Sequence, residues 1–118
     1  MLYGNDKQRA VPWLCATTGK YLGAIETARG NVDEARRHFC TADAAFGGKF
    51  DSYFLSVIGL TVRAEAFRSL KDEAWLLSAR QLLASIPDDA RKYVAFSRWR
   101  DYIDNPTDEK FPALSYWY

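Results

Sequence analysis

The sequence predicts an all-α protein of about five antiparallel helices followed by an aromatic tail, in a single domain over residues 1–118. Two observations carry this prediction. Apolar residues recur at spacings of three and four along successive segments, as they do on one face of a helix. Residues that end helices separate those segments, namely Gly30, Gly47-Gly48, Pro87 and Asn105-Pro106.

The first two helices form the predicted hairpin 10–48. The first helix is expected to start at Pro12, where a missing N–H costs nothing. One face of it holds a series of apolar residues at helical spacing, namely Leu14, Tyr21, Leu22, Ile25 and Ala28. Gly30 is expected to end this helix, and Asn31 to cap the next. The second helix has the cleanest apolar face, made of Val32, Ala35, Phe39, Ala42 and Phe46.

A second hairpin is predicted over 51–86. Its first helix is capped by Asp51 or Ser52 and is mostly buried. The β-prone run 57–62 lies in this helix, because no turn signal interrupts the residues around it. The fourth helix, from about 72 to 85, buries Leu76, Ala79, Leu83 and Ile86. A fifth helix over 88–103 buries Tyr93, Phe96, Trp99 and Ile103.

Composition narrows the function classes. The 16 basic and 15 acidic residues give a net charge of +1, so no global field attracts nucleic acid or an anionic membrane. The most apolar window, 54–62, is much shorter than the roughly 20 residues that span a bilayer. Only Cys15 and Cys40 are present, which is typical of a cytoplasmic protein with reduced thiols. We therefore expect a soluble cytoplasmic protein without a membrane span.

The two hairpins resemble each other in sequence. Aligning 25–35 with 64–74, at a shift of 39, gives five identities: Glu26/Glu65, Arg29/Arg68, Asp33/Asp72, Glu34/Glu73 and Ala35/Ala74. Helix pairs that cannot bury their apolar faces alone stack into solenoids. The sequence therefore predicts a short helical-repeat array.

The first copy resembles the tetratricopeptide repeat. That family carries a large and then a small residue in its first helix, matched by Leu22-Gly23, and a glycine bend followed by an acidic pair and alanine, matched by 30–35. An aromatic and a small residue follow in its second helix, matched by Phe39 and Ala42. The resemblance covers about residues 14–86, with a first copy at 14–48 and a looser one at 51–86.

The resemblance implies a non-catalytic module that binds a protein or peptide: an adaptor, a chaperone or a regulatory subunit. In that family the first helices of each pair line the binding surface. The equivalent residues, which make up the predicted groove, are Lys20, Ala24 and Thr27 on the first helix, Ser56, Arg63 and Phe67 on the third, and Arg100 on the fifth. The cations could hold an acidic or carboxylate group of a partner. The alternative is that these residues pack against the tail.

Two other functions remain open from the sequence. Bases alternate with aromatic residues along 91–100, as in nucleic-acid-binding segments, although a solvated amphipathic helix explains the same pattern. A small enzyme would have to use Glu26, Glu65 and His38 together in one pocket. We expect neither, and the sequence offers no motif for a cofactor or a metal.

The tail 104–118 is too apolar to be purely solvated, since it contains Phe111, Leu114, Tyr116, Trp117 and Tyr118. Three roles are open to it. It can cap the end of the helical stack, insert into a second copy to form a homodimer, or present aromatic anchors to another protein. We expect the cap, because unprotected aromatic residues favour aggregation.

Overall fold

A computed structural model of the chain describes residues 4–46, 53–86 and 94–112. These residues form five helices and no strand, which confirms the predicted fold class. The helices are α1 (Gly4–Ala28), α2 (Val32–Ala44), α3 (Tyr53–Leu70), α4 (Glu73–Ser85) and α5 (Val94–Asp104), followed by a 3₁₀ turn at Asp108–Lys110. Over the same ranges, no helix combines the length and apolarity needed to cross a bilayer.

The first helix is longer than the sequence predicts. It begins at Gly4 and not at Pro12, which lies inside it. A proline inside a helix removes one backbone hydrogen bond and crowds the preceding turn, which disfavours a helix that continues through Pro12. The eight residues before Pro12 favour it, because they add about two further helical turns. The predicted start was wrong because the proline was read as a boundary when the helix continues through it.

Both hairpin bends turn through one residue in the left-handed conformation. In the first bend this residue is Gly30, with φ of 83°. Its N–H donates to the carbonyl of Thr27 (3.0 Å), and the N–H of Asn31 donates to the carbonyl of Glu26 (2.8 Å). These are the two hydrogen bonds of a Schellman motif, and they satisfy carbonyls at the end of α1.

The second bend places Lys71 in the left-handed conformation, with φ of 57°. The Lys71 N–H donates to the carbonyl of Phe67 (2.8 Å). The next residue, Asp72, caps α4 by accepting a hydrogen bond from the N–H of Ala74 (3.0 Å). A lysine in this conformation is not recognisable as a bend residue from sequence, because glycine is the usual signal.

The two bends relate the hairpins by a shift of 41 residues, from Gly30 to Lys71 and from Asn31 to Asp72. The sequence alignment at a shift of 39 is therefore wrong in register. Its identities do not occupy equivalent positions, since Asp72 is a helix cap whereas Asp33 lies within the first turn of α2. In particular, Glu26 and Glu65 are not structural counterparts.

The helices stack in chain order around α3. Helix α3 packs against both helices of the first hairpin, and α5 packs against both α3 and α4. The centre of α3 is consequently enclosed on all sides, with Val57, Ile58, Leu60, Val62 and Ala64 at most 1% exposed. The β-prone sequence of this segment is overridden because a helix here is covered by neighbours on every face.

The predicted core faces are confirmed for three helices. Helix α2 buries Ala35, Phe39 and Ala42, although Val32 is exposed, and Phe46 just after the helix is buried as well. Helix α5 buries Phe96, Trp99 and Ile103. Helix α4 buries Leu76, Ala79 and Ile86, with Leu82 more deeply buried than Leu83. The predicted break at 47–48, the caps at 51–52, residues 88–93 with Tyr93 and the tail beyond 112 lie outside the described residues.

The first helix buries a different face from the one its apolar spacing indicates. Its interior face consists of Ala16, Gly19, Lys20 and Gly23. The apolar residues Leu14, Tyr21, Leu22, Ile25 and Ala28 do share a face, but this face points outward. The reason is close packing against α2. A Cβ on Gly23 would lie 2.6 Å from the Phe39 ring, so only small residues fit between these helices.

Candidate protein-interaction surface

The predicted groove residues of α1 are largely inside the fold. Lys20 is only 5% exposed, while Ala24 and Thr27 are half-buried. The hydroxyl of Thr27 donates to the carbonyl of Gly23 (2.8 Å). Burial removes water from the Lys20 ammonium and lowers its pKa to about 8, an effect that the nearby Glu65 carboxylate partly opposes. Lys20 is therefore an interior residue whose ammonium interacts with groups of the same chain, Glu65 among them.

The predicted groove residues of α3 also make internal contacts. Ser56 is buried, and Phe67 packs against the main core. The Arg63 Nε atom donates to Asp43 of α2 (2.8 Å), and its Nη1 donates to the carbonyl of Ser78 of α4 (2.9 Å). Arg63 thus connects three helices, and its side chain is 15% exposed.

Lys20 belongs to a polar cluster that joins α1, α3 and α5. Burial raises the pKa of Glu65, whereas Arg68 and Lys20 act to lower it. Burial also raises the pKa of Tyr102 to about 12, with Arg68 opposing and Asp108 and Glu65 reinforcing the change. The Arg68 guanidinium lies over the Phe111 ring, 4.2 Å from its centre. The charges of this cluster offset only part of the cost of their burial.

Of the three residues that an enzyme would need, Glu26 and His38 lie close enough for His38 to help lower the pKa of Glu26, whereas Glu65 has other partners. The Glu26 carboxylate accepts hydrogen bonds from Asn31 (2.8 Å) and Arg29 (3.2 Å), and the bond from Asn31 is the main reason that its pKa is lowered. His38 lies 3.9 Å from Glu34. Glu65 instead interacts with Lys20 and Arg68. In the described part of the chain, no three His, Cys, Asp or Glu residues are grouped to hold a metal ion.

Only part of the predicted basic face of the fifth helix lies in the described residues. Arg98 and Arg100 are two positions apart, which is about 200° around a helix, so their side chains leave α5 in opposite directions. Arg98 lines a cleft of about 510 Å³ together with Asp101, Asp104 and Glu109. Arg100 is the most accessible predicted groove cation, with a side chain 42% exposed and 3.6 Å from Asp101. Arg91 lies outside the described residues.

An exposed face that is mostly apolar runs along the outward side of α1. We call it the α1 stripe, and its residues are Leu14, Thr18, Tyr21, Leu22 and Ile25. Leu14 is 50% exposed and Ile25 is 51% exposed, with Tyr21 and Leu22 close to 40%. Beside the stripe, a shallow groove of about 310 Å³ separates α1 from α2 and is lined by Cys15, Gly19, His38 and Thr41 as well as stripe residues. Both Cys15 and Cys40 are exposed free thiols.

Superposing the two hairpin bends gives the α3 residues that correspond to the stripe. At the shift of 41, Tyr21 corresponds to Val62 and Ile25 to Ala66, and both α3 residues are fully buried. Ala66 packs with Ala35 and Phe39 of the preceding hairpin. Ile25 therefore corresponds to an α3 residue that packs onto the first hairpin. Sequence reasoning found its residues but not their direction.

The stripe is also free of charge. Between Trp13 and Ala28 the only charged residues are Lys20 and Glu26. Lys20 is buried, and Glu26 is bound to Arg29 and Asn31 beside the bend. A helix face that water covers usually carries charged side chains, so an uncharged apolar face of this length is typical of a contact surface.

Comparisons with known proteins returned no family. Neither protein-family models nor curated sequences nor solved structures gave a significant match to this chain.

Proposed function

We propose that this chain is a non-catalytic protein-binding module with tetratricopeptide-like stacking, and that its contact surface is the α1 stripe. The order of contacts supports the stacking, because α3 lies against both helices of the first hairpin and α5 lies against both helices of the second. The close approach of Gly23 and Phe39, two residues on which the resemblance rests, supports it further. A cytoplasmic setting, where the exposed thiols of Cys15 and Cys40 stay reduced, suits this function.

The exposure of the α1 stripe is the observation that carries the proposal. Leu14 and Ile25 of the stripe are half exposed, whereas Ala66 of α3, the counterpart of Ile25, is fully buried beside Ala35 and Phe39. The predicted groove has fewer side chains that a partner could reach, since Lys20 and Ser56 are buried and Arg63 is bound to Asp43. We therefore place binding on the outer face of α1 and regard the α1–α3 cations as structural.

The shape and chemistry of the stripe favour a helical partner over an extended peptide. An extended peptide is held mainly by main-chain hydrogen bonds, and a helix surface offers no free main-chain groups along its length. The stripe instead presents side chains at helical spacing, which pack against another helix by ridges and grooves. We accordingly assign it an amphipathic helix or a helical hairpin as its ligand.

The proposal is tested by changing the stripe without changing the fold. Ile25→Glu places a charge in the stripe, and Leu77→Glu places the same charge at an exposed leucine of α4, 57% accessible, as a matched control. Each chain is immobilised, incubated with an extract of the source cells, and its bound proteins are quantified by mass spectrometry. We expect proteins that the native and Leu77→Glu chains retain and the Ile25→Glu chain loses.

Circular dichroism of the three chains shows whether the helical content is equal. Should Ile25→Glu and Leu77→Glu retain identical sets of proteins at equal helicity, the assignment of binding to the α1 stripe would be wrong.

A further inference from the structure

We propose that the chain has a second binding site, on α3 and α5, for an extended protein segment in which an aromatic residue precedes proline. We call residues 105–112, which follow α5, the strap. The strap site consists of Arg68, Trp99 and Tyr102. The strap occupies this site with its own Phe111, so it competes with a segment from another protein. The site is separate from the α1 stripe and does not depend on the proposed function.

Phe111 contacts all three side chains of the strap site. Arg68 lies over the ring, with its guanidinium carbon 4.2 Å from the ring centre. The rings of Trp99 and Tyr102 meet Phe111 edge-on, with ring centres 5.3 and 5.0 Å away. A cation over a ring face and edge-to-face ring pairs are both favoured by the charge distribution of an aromatic ring. The strap site therefore selects an aromatic side chain.

The backbone at Phe111 shows which form an occupant takes. Phe111 has φ of −62° and ψ of 119°, near the polyproline II region, as expected for a residue that precedes proline. The following Pro112 is buried. Proline-containing segments of this form dock onto aromatic-lined surfaces at low entropic cost, because their backbone is already extended. An aromatic–proline pair of another protein has the same shape as the pair in the strap.

Few contacts hold the strap to the helices. In its described residues, the Lys110 N–H donates to the Thr107 carbonyl (3.0 Å) and the Phe111 N–H donates to the Asp108 carbonyl (3.2 Å), so both bonds stay within the strap. The four residues before Phe111 are exposed. The cleft of about 510 Å³ is lined by α5 on one side and by the strap on the other. Phe111 and the buried Pro112 are therefore the anchors of the described strap.

The strap controls how tightly a partner binds. A segment that is held by few side chains opens locally while the helices stay folded. A partner binds only molecules whose strap is open, so its apparent dissociation constant is raised by the inverse of the open fraction. Minor states of this kind hold about 0.1–10% of the molecules. The strap therefore weakens binding of a partner segment by about tenfold or more.

A peptide with the sequence of residues 105–112 tests the strap site. The peptide carries a fluorescent label, and its binding to full-length chains is measured by fluorescence polarisation. Phe111→Ala in the chain removes the competing ring, so this variant should bind the peptide at least about tenfold more tightly than the native chain does. A peptide that itself carries Phe111→Ala should bind neither chain. Equal affinities of the two chains, or equal binding of the two peptides to the variant, would overturn the inference.

Arg68 provides a test of the geometry. In the Phe111→Ala chain, Arg68→Met should weaken peptide binding by about two- to fivefold, as expected for the loss of one exposed cation–π contact. Arg100→Met is the matched control, at an arginine of α5 that lies outside the strap site. It should leave the affinity unchanged. Equal effects of the two substitutions would contradict the strap site, because Arg68 forms one side of it.

The native chain offers a measurement that does not depend on how well a variant folds. With ¹⁵N-labelled native chain, excess unlabelled peptide should displace the strap and move the amide NMR signals of Lys110 and Phe111 toward random-coil positions. The signals of α2, in the first hairpin, should stay in place. Strap signals that do not move at about 10 mM peptide, beyond the range of specific association, would overturn the inference.

Ile25→Glu separates the strap site from the α1 stripe. Added to the Phe111→Ala chain, it should leave peptide binding unchanged, because Ile25 lies on α1 and the strap site lies on α3 and α5. Peptide binding that Ile25→Glu abolishes at equal helicity would place the peptide on the stripe and refute the strap site. A chain that fails to bind the peptide while its stripe retains another protein would refute this inference alone.

Discussion

Lys20 is the residue at which the structure departs most from its sequence-based role. It was predicted to offer a cation to a ligand, and it is 5% exposed beside Glu65, with its ammonium 5.0 Å from the centre of the Tyr21 ring. Burying an ammonium is unfavourable unless neighbours replace its water. The carboxylate and the ring supply part of that replacement, and the pKa of Lys20 is lowered because burial outweighs it.

Stability should therefore rise with pH in the alkaline range. The folded chain releases the Lys20 proton near a pKa of about 8, whereas the unfolded chain holds it up to the ordinary 10.5. Between these values the unfolded state binds more protons, so raising the pH favours the folded state, by about 2 kcal/mol from pH 8 to pH 10. Urea unfolding followed by tryptophan fluorescence at several pH values measures this rise.

Lys20→Met should abolish the rise, and Lys110→Met, at an exposed lysine, should keep it. Above pH 10 the sign reverses through Tyr102. Its folded pKa of about 12 exceeds the ordinary 10.0, so the folded state keeps a proton that the unfolded state loses. A native chain whose stability is flat from pH 8 to pH 10 would contradict the burial of a titrating lysine.

At the scale of the elements, small residues let the backbones of α1 and α2 approach each other closely. Gly19 and Gly23 face α2, where an added Cβ would lie 2.8 Å from the His38 carbonyl oxygen or 2.6 Å from the Phe39 ring. Small residues at these positions bring the two helix backbones together. This contact decides which face of α1 is buried, and it turns the larger apolar side chains outward.

Gly23→Ala should therefore destabilise the fold even though alanine favours helix. The gain in helix propensity is about 1 kcal/mol, and overpacking against a fully buried ring should exceed it, for a net loss of about 1–2 kcal/mol in the free energy of unfolding. The measurement is urea unfolding of the single and double variants.

Phe39→Leu provides the matched test, because it removes the ring that Gly23→Ala meets. In that background Gly23→Ala should cost less than in the native chain, whereas Gly19→Ala should not be rescued, since it also meets a backbone oxygen. Equal effects of both substitutions in both backgrounds would show that the ring does not limit the approach of the helices.

At the scale of the whole molecule, the described residues differ in cover at the two ends of the chain. Phe111 packs edge-on against Trp99 and Tyr102 of α5, and the capping role of the tail as a whole stays a prediction, since its residues beyond 112 lie outside the described ranges. At the other end the α1 stripe is exposed. Stacked helices need cover at both ends, so the open end is where association is expected.

Phe111→Ala should remove this cover and lower the free energy of unfolding by about 2–3 kcal/mol, below the full value for a completely buried phenylalanine. The tryptophan emission of the folded chain should shift to longer wavelength as Trp99 becomes wetter. Leu77→Ala, at an exposed leucine of α4, should change stability by less than about 0.5 kcal/mol. Equal stabilities of the two variants would mean that Phe111 does not cap the stack.

Much of the fold was predictable because local signals agree with it. The bend at Gly30, the cap at Asp72 and the apolar faces of α2, α4 and α5 all follow from spacing and helix-end chemistry. The bend at Lys71 could not be recognised from the sequence, since no glycine marks it. As a result, the sequence alignment of the two hairpins differs by two residues from the alignment of their bends. The start of α1 was missed because a proline inside a helix looks like its beginning.

The candidate site was predicted far less well, for a physical reason. The sequence by itself determined an all-α chain with its helix pairs and most of its core. It could not determine which of two faces of α1 is buried, because an apolar face and a face of small residues can both pack. The tertiary structure decided for the small face, since Gly19 and Gly23 admit α2 at close range and α3 encloses Lys20. Burial of that face turned the predicted cation inward and left the apolar stripe outside, where a partner can reach it.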